Sequence, residues 1–351
     1  MQLSKFSFPF DPGLVAAEPV LPRDHARLLV LNPPDRTWDH KIIADLPHVL
    51  APGDLLVVND TKVRAARVMG RKRTSGNPVE ILFVKELAEW TWEVLMKGRW
   101  SAGHVIDIDD KASVTVVSRE GGQTVVRVEG VLSSAEFFQR YGQMPLPPYI
   151  KRVPTVQDRK WYQTVFAQDE GAIAAPTAGL HFTQALLSRL GNRGIGVVTV
   201  TLHVGIGTFK PVTVDCIDEH HMGAEWIDVG SDAVDAIERT KKAGGNIVAV
   251  GTTVARALET AARGQGSVQP YQGDTNLFIT PGFEFRVVDA LLTNFHLPRT
   301  TLLMLVSAFA GTDFLRQAYE EAVRARYRFY SYGDAMLISA KAGNKGREAS
   351  P

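Results

Sequence analysis

The chain has 351 residues, 45% of them hydrophobic and 22% charged, which is ordinary globular composition and length enough for about two domains. Lys and Arg number 39 against 38 Asp and Glu, so the net charge of +1 excludes a wholly polybasic nucleic-acid binder, and any polyanion has to be held by local patches. One cysteine, Cys216, excludes an internal disulfide and a Cys-rich zinc or iron–sulfur site, and it fits the reducing cytoplasm, which is the expected location.

In chain order, the opening "MQLSKFSFPFDPG" lacks the apolar core of a signal peptide, so none is expected. Residues 1–60 mix Pro-rich turns with one strong strand, "DLLVVND" (Asp54–Asp60). Residues 61–152 turn strand-rich: "VEILFVKEL", "TWEVLMKG", "HVIDID", "SVTVVSRE" and "QTVVRVEG" are short runs with partial alternation. Gly121 and Gly122 join the last two as a hairpin. Short strands at this spacing predict a small β-barrel or sandwich. From 153 onward helices and strands alternate. "QALLSRLGNRG" is a predicted helix with Thr183 as N-cap and Gly191 or Gly194 as its stop. "GVVTVTLHV" and "NIVAV" are predicted buried strands; "SDAVDAIERTKKAGG" and "TTVARALETAAR" are predicted helices. The apolar run "TLLMLVSAFAG" is well short of the ~20 residues of a membrane span, so no membrane association is expected. The fold class is therefore α/β with two domains: a core formed by 1–60 and 153–351, and a β-barrel formed by 61–152 inserted into it.

Ligands of α/β domains collect beyond the carboxyl ends of strands. "HVGIGTF" places His203, Gly205, Gly207 and Thr208 there, "GTTVAR" places Gly251, Thr252, Thr253 and Arg256, and "TNFHLP" places Asn294 and His296. "AAPTAGLHFT" carries Pro176, Thr177, Gly179 and His181 into a helix start and matches neither a strand nor a helix pattern. Glycines at such turns admit a close backbone approach, and helix starts present free N–H groups. Structural readings compete: Lys210 stands where a dinucleotide fingerprint needs its third Gly, the Thr pair can simply cap a helix, and each His can be a satisfied core residue. Glu219, His220 and His221 are adjacent and point apart, so no metal site is expected.

Basic patches stand out locally. "TKVRAARVMGRKR" contains Arg71, Lys72 and Arg73, "YIKR" contains Lys151 and Arg152, and "VRARYRFYSYGD" interleaves Arg324, Arg326 and Arg328 with aromatic residues. Arginine on phosphate and aromatics on unpaired bases suit single-stranded RNA loops. The competing reading of the last segment is a solvated helix face running into a strand with buried aromatics.

Seven segments in order, "PGDLLVVNDTKV", "MPLPPYIKR", "YQTVFAQDEGAIAAPTAGLHFT", "VTLHVGIGTFKPV", "VAVGTTVARALE", "PGFEFRVVDALLTNFHLPRTTLLMLVSAFAG" and "YRFYSYGDAMLI", resemble the S-adenosylmethionine:tRNA ribosyltransferase-isomerase family of queuosine biosynthesis. The chain departs from the family pattern at Val254, in "HHMGAEW" and at Arg64. The resemblance implies a two-domain fold with a β-barrel insert. It implies that the ribosyl part of S-adenosylmethionine, a co-substrate and not a cofactor, moves onto the aminomethyl group of a deazaguanine base at the wobble position of a tRNA. The ribose rearranges to an epoxycyclopentane, giving epoxyqueuosine, and adenine and methionine leave. On this reading a cytoplasmic monomer is expected. His181, His203 and His296 are candidates for the proton transfers, with Asp169 or Glu170 holding a ribose hydroxyl or the amine. The small side chains around Pro176, Thr177 and Gly179 let a flat base lie close. The rival classes are an S-adenosylmethionine-dependent RNA methyltransferase and a non-catalytic RNA-binding protein.

Overall fold

Central strands buried on both faces account for the apolar runs of the core. In the computed structural model, which describes residues 1–121, 123–130, 133–205, 212, 214–264 and 266–339, Leu55–Asn59 lies between Gly196–Leu202 and Ile247–Val250, all parallel. Ala290–Asn294 continues the parallel set beside Ile247–Val250. The full nine-stranded sheet runs Tyr271–Thr275, Glu225–Val229, Gly196–Leu202, Leu55–Asn59, Ile247–Val250, Ala290–Asn294, Ala335–Ser339, Arg27–Asn32 and Thr37–Ile42. Side chains alternate between two cores. Leu55, Val57, Ile247 and Ala249 face one layer, which includes the helices Ser231–Lys242 and Thr252–Ala261, and Leu56, Val58, Val248 and Val250 face the layer of Gln184–Asn192. Thr183 caps that last helix by accepting from Leu186 N–H, as expected.

The insert is a closed antiparallel barrel of six strands. Arg67–Lys72, Pro78–Ala88, Thr91–Met96, Gln123–Glu129, Ser113–Glu120 and Val105–Asp107 pair in that order, and Arg71 opposite Asp107 with Lys72 opposite Ile106 closes the ring. Gly70 sits at the closure, where a Cβ would come within 2.6 Å of Ile106 Cγ2. Inward residues alternate along each strand, and Phe137 and Phe138 of the helix Ser134–Tyr141 pack edge-on against Phe83 inside. Gly121 turns the expected hairpin at φ 57°; Gly122 lies outside the described residues. Thr61–Val63 pairs in parallel with Asp169–Ala172, which joins the chain entering the insert to the chain returning from it. Among the described residues no helix is long and apolar enough to cross a membrane; the run 301–310 is a core helix.

Glu259, buried in the helix Thr252–Ala261, accepts from the N–H groups of Arg286, Val287 and Val288 at 2.9, 3.0 and 3.1 Å. It fixes the chain entering Ala290–Asn294. Glu259→Ala is expected to cost ~3 kcal/mol of unfolding free energy by urea titration, because it strands buried donors. A loss below about 1 kcal/mol would assign those N–H groups to other acceptors.

Candidate active site

The carboxyl ends of the parallel strands gather the polar residues. Asn59 leads to Asp60 and Thr61, Leu202 to His203, Val250 to Gly251 and the helix start, and Asn294 ends its own strand. Gly251 makes its turn at φ 100°, a left-handed conformation that favours glycine. "AAPTAGLHFT" is a buried 3-10 turn, Thr177–His181. Its small side chains are needed for close packing: Ala178 Cβ lies 3.7 Å from the position a Cβ on Gly251 would take, and a Cβ on Gly179 would lie 3.0 Å from Thr164. The same segment forms one wall of a cleft, with Pro176 and Thr177 facing a space shared with Thr252, Thr253, Asn294 and His296.

His181 is buried and reaches that cleft only through Asn294, which lines it. Its Nε2 accepts from Asn294 Nδ2 at 3.2 Å, and the same Nδ2 donates to Tyr330 O at 3.1 Å. The carbonyl fixes the amide orientation, so Asn294 Oδ1 is left as a buried acceptor with no partner among the described residues. Burial, reinforced by the cations Arg23 and Arg328, pushes the His181 pKa down to about 4. His296 is also buried; its Nε2 is 2.9 Å from Thr293 Oγ1 and its pKa falls to about 3 through burial. Both rings are neutral at pH 7 and act there as hydrogen-bonding groups.

His203 occupies a different setting. The ring is half-buried, stacked on Trp226 with centroids 5.1 Å apart, and its Nδ1 is 2.8 Å from Thr61 Oγ1. Gly171 makes room for it, since a Cβ there would approach the ring to 2.6 Å. Burial lowers its pKa, with Asp169 and Asp60 pulling the other way. Thr201 Oγ1 donates to Asp60 Oδ1 at 2.7 Å and lies 3.3 Å from Asp169 Oδ2. Burial holds the Asp60 carboxyl above the usual range. A histidine able to take a proton at pH 7, next to two carboxyl groups, is an arrangement for acid–base chemistry.

Glu170 is exposed and paired to Arg64 at 3.3 Å. Gly205 N donates to Glu225 Oε1 at 2.9 Å. Gly207 and Thr208 lie outside the described residues. Arg256 is buried and bonded to Glu225. His220 packs edge-on against Phe278.

Of the basic residues, Arg71, Lys151, Arg324 and Arg326 are exposed. Arg73 is also exposed and engages Asp107 through Nε at 2.9 Å, and Lys72 lies over Trp100. Arg152 holds buried Asp158 through two bonds of 2.7 Å, and Arg328 is half-buried with its guanidinium on Glu18 O. Tyr327, Phe329 and Tyr332 are core residues, which leaves them no face for a base. Tyr330, at φ 69°, lines the cleft beside Tyr149, with ring centroids 3.8 Å apart.

Sequence reasoning passed over Asp60, Thr61, Thr201 and Tyr149, and it read Tyr330 as one of the aromatics for unpaired bases and not as a wall of the cleft. Asp60 and Thr61 carried a signal, since with Asn59 they are the polar residues that follow the apolar run "LLVV".

An α/β enzyme with a barrel insert and its polar groups at the strand ends is the class these features define. A family model described as "Queuosine biosynthesis protein" matches residues 3–338. An S-adenosylmethionine:tRNA ribosyltransferase-isomerase of Xanthomonas oryzae is 46% identical over 353 residues, 99% of each chain. One from Sulfurihydrogenibium sp. is 44% identical over 340 residues, 96% of this chain and 100% of that one. The crystal structure of S-adenosylmethionine tRNA ribosyltransferase from Thermotoga maritima is 38% identical, with TM-score 0.56, covering 95% of this chain and all of that one. The chain belongs to the S-adenosylmethionine:tRNA ribosyltransferase-isomerase family of queuosine biosynthesis, a family of enzymes.

Proposed function

We propose that the enzyme moves the ribosyl part of S-adenosylmethionine onto the aminomethyl group of a 7-deazaguanine at the tRNA wobble position and isomerises it to give epoxyqueuosine. The bonds from ribose to adenine and to sulfur break, the amine nitrogen bonds to the sugar, and adenine and methionine leave. The observation that carries this reading is His203 beside Asp60, Asp169 and Thr61 at the same sheet edge as the cleft. The sulfonium acidifies the ribose carbon bonded to it, and His203, neutral at pH 7, takes that proton. Asn294 Oδ1 offers its free acceptor to an N–H of the base lying against Pro176 and Thr177. His181 holds Asn294 in place. This differs from the expectation that treated the three histidines alike, because burial keeps His181 and His296 from carrying a proton near neutrality. Incubation with S-adenosylmethionine and precursor-bearing tRNA tests the reading: adenine and methionine should both be released. S-adenosylhomocysteine as product would replace it with the methyltransferase.

The barrel supplies a basic surface for the anticodon arm. Replacing Arg71, Lys72 and Arg73 by Ala is expected to weaken tRNA binding and to lower the slope of log affinity against log salt by about 2, since each lost phosphate contact releases fewer counterions. An unchanged slope would move the RNA surface to Arg324 and Arg326, which are exposed on the core.

A further inference from the structure

Arg256 is buried, yet part of its guanidinium is unused. Nε donates to Leu277 O at 2.9 Å and Nη1 donates to Glu225 Oε2, while Nη2 has no hydrogen-bond partner among the described residues. Such a donor is costly unless something accepts from it. Arg256 lines a second cleft whose walls are apolar, with Met222, Leu277, Phe278 and Leu302 among them. Thr252 and Thr253 line both this cleft and the strand-end cleft. They also begin the ten-residue helix Thr252–Ala261, whose N-cap, Gly251, has no side chain to satisfy the first N–H groups. The helix start and the arginine with an unpaired guanidinium donor thus line the same second cleft, which makes it a candidate anion site.

The chemistry of the anion follows from the surroundings. Glu225 already neutralises part of Arg256, which disfavours a phosphate dianion. The apolar walls suit a short hydrocarbon arm, and the zwitterionic end of an α-amino acid offers one carboxylate to Arg256 Nη2 without adding net charge. We propose that this cleft binds the amino-acid carboxylate of S-adenosylmethionine, on Arg256 Nη2 and the helix start, with the methionyl arm along Leu277 and Leu302. The nucleoside then falls in the strand-end cleft and the sulfonium falls between them, beside Thr252 and Thr253. Methionine stays in the same cleft after the bond from ribose to sulfur breaks. The proposal rests on the reading of S-adenosylmethionine as ribosyl donor.

The test compares S-adenosylmethionine with its decarboxylated analogue, which keeps the ammonium and the sulfonium, in binding to the wild-type protein. A preference for the carboxylate of roughly 10- to 100-fold is expected, the value of a charge-assisted hydrogen bond. Arg256→Lys keeps a cation beside Glu225 but loses Nη2, and it should reduce that preference to within about threefold while the analogue's own affinity changes little. The double variant Glu225→Gln with Arg256→Gln leaves no charge stranded and should do the same, which covers the case in which Arg256→Lys does not fold. Equal affinities in the wild type, or a preference retained by a folded variant, would overturn the proposal alone. Failure of the wild type to bind S-adenosylmethionine at all would overturn the ribosyl-donor reading and this inference with it.

Discussion

His203→Gln is expected to lower turnover by about 10²–10⁴-fold, the usual contribution of a positioned general base, with little change in thermal stability. The ring is half-buried and packs on one face of Trp226, so the substitution removes a stacking contact without opening the core. The pH profile separates the catalytic from the structural reading. Burial lowers the His203 pKa below its ordinary value of 6.5, so the acid limb of kcat/KM should lie below pH 6.5 and should be absent from the residual activity of His203→Gln. Gly171→Ala provides the positional control. The added methyl would meet the His203 ring at 2.6 Å, so it should displace the base and reduce turnover without removing any titrating group. Full activity in a folded His203→Gln protein would eliminate His203 as the base and leave Asp60, whose carboxyl burial holds above the usual range.

The second large effect is on stability. His181 and His296 titrate at about 4 and about 3 in the folded protein, against 6.5 in an unfolded chain. Both are therefore neutral when folded, while the unfolded chain takes up their protons first as pH falls. Stability is fully present above pH 6.5 and is lost below it, until about pH 4 for His181 and about pH 3 for His296. At about 1.4 kcal/mol per pH unit and group, the cost reaches roughly 3 kcal/mol for each by pH 4. Domains have only about 5–15 kcal/mol in total, so cooperative acid unfolding is expected well above pH 3. His203 and His220, whose pKa values burial also lowers, add in the same sense, and Asp60 opposes them near pH 4. Urea titrations at pH 7.5, 6.0 and 5.0 measure the slope. His181→Gln and His296→Gln should each reduce it by about one proton. A slope near zero between pH 6.5 and 5 would mean that these histidines are protonated inside the fold.

Much of the core was legible because its strands are buried on both faces and read as unbroken apolar runs. Residues 55–58, ahead of the buried Asn59, and Ile247–Val250 are of this kind. The edge strand Thr37–Ile42 is largely exposed, and "TWDHKI" carries no alternation to read. Arg67–Lys72 read as a basic patch, although its inward residue Val68 and the close-packed Gly70 make it the strand that closes the barrel. The site was legible in part. The glycine turn at Gly251 and the polar residues Thr252, Thr253, Asn294 and His296 follow strands, and the cleft brings them together. The His203 cluster was not legible as a unit. Thr61 and Asp169 are separated by the whole insert, and only the parallel pairing of Thr61–Val63 with Asp169–Ala172 makes them neighbours. Alternating Arg and aromatic residues in "RARYRFY" suggested base stacking, but Tyr327 and Phe329 face the core and Arg328 is spent on Glu18. Composition alone does not separate an aromatic for a base from an aromatic for a core.

Transfer of ribose, and not of methyl, is what sets the proposed reaction apart from that of a methyltransferase. A single turnover with S-adenosylmethionine labelled separately in the ribose and in the methyl group decides between them, using tRNA that carries the aminomethyl deazaguanine. Ribose label is expected on the tRNA, methyl label in free methionine, and one adenine released for each tRNA modified. Methyl label on the tRNA, with no adenine released, would rule out ribosyl transfer.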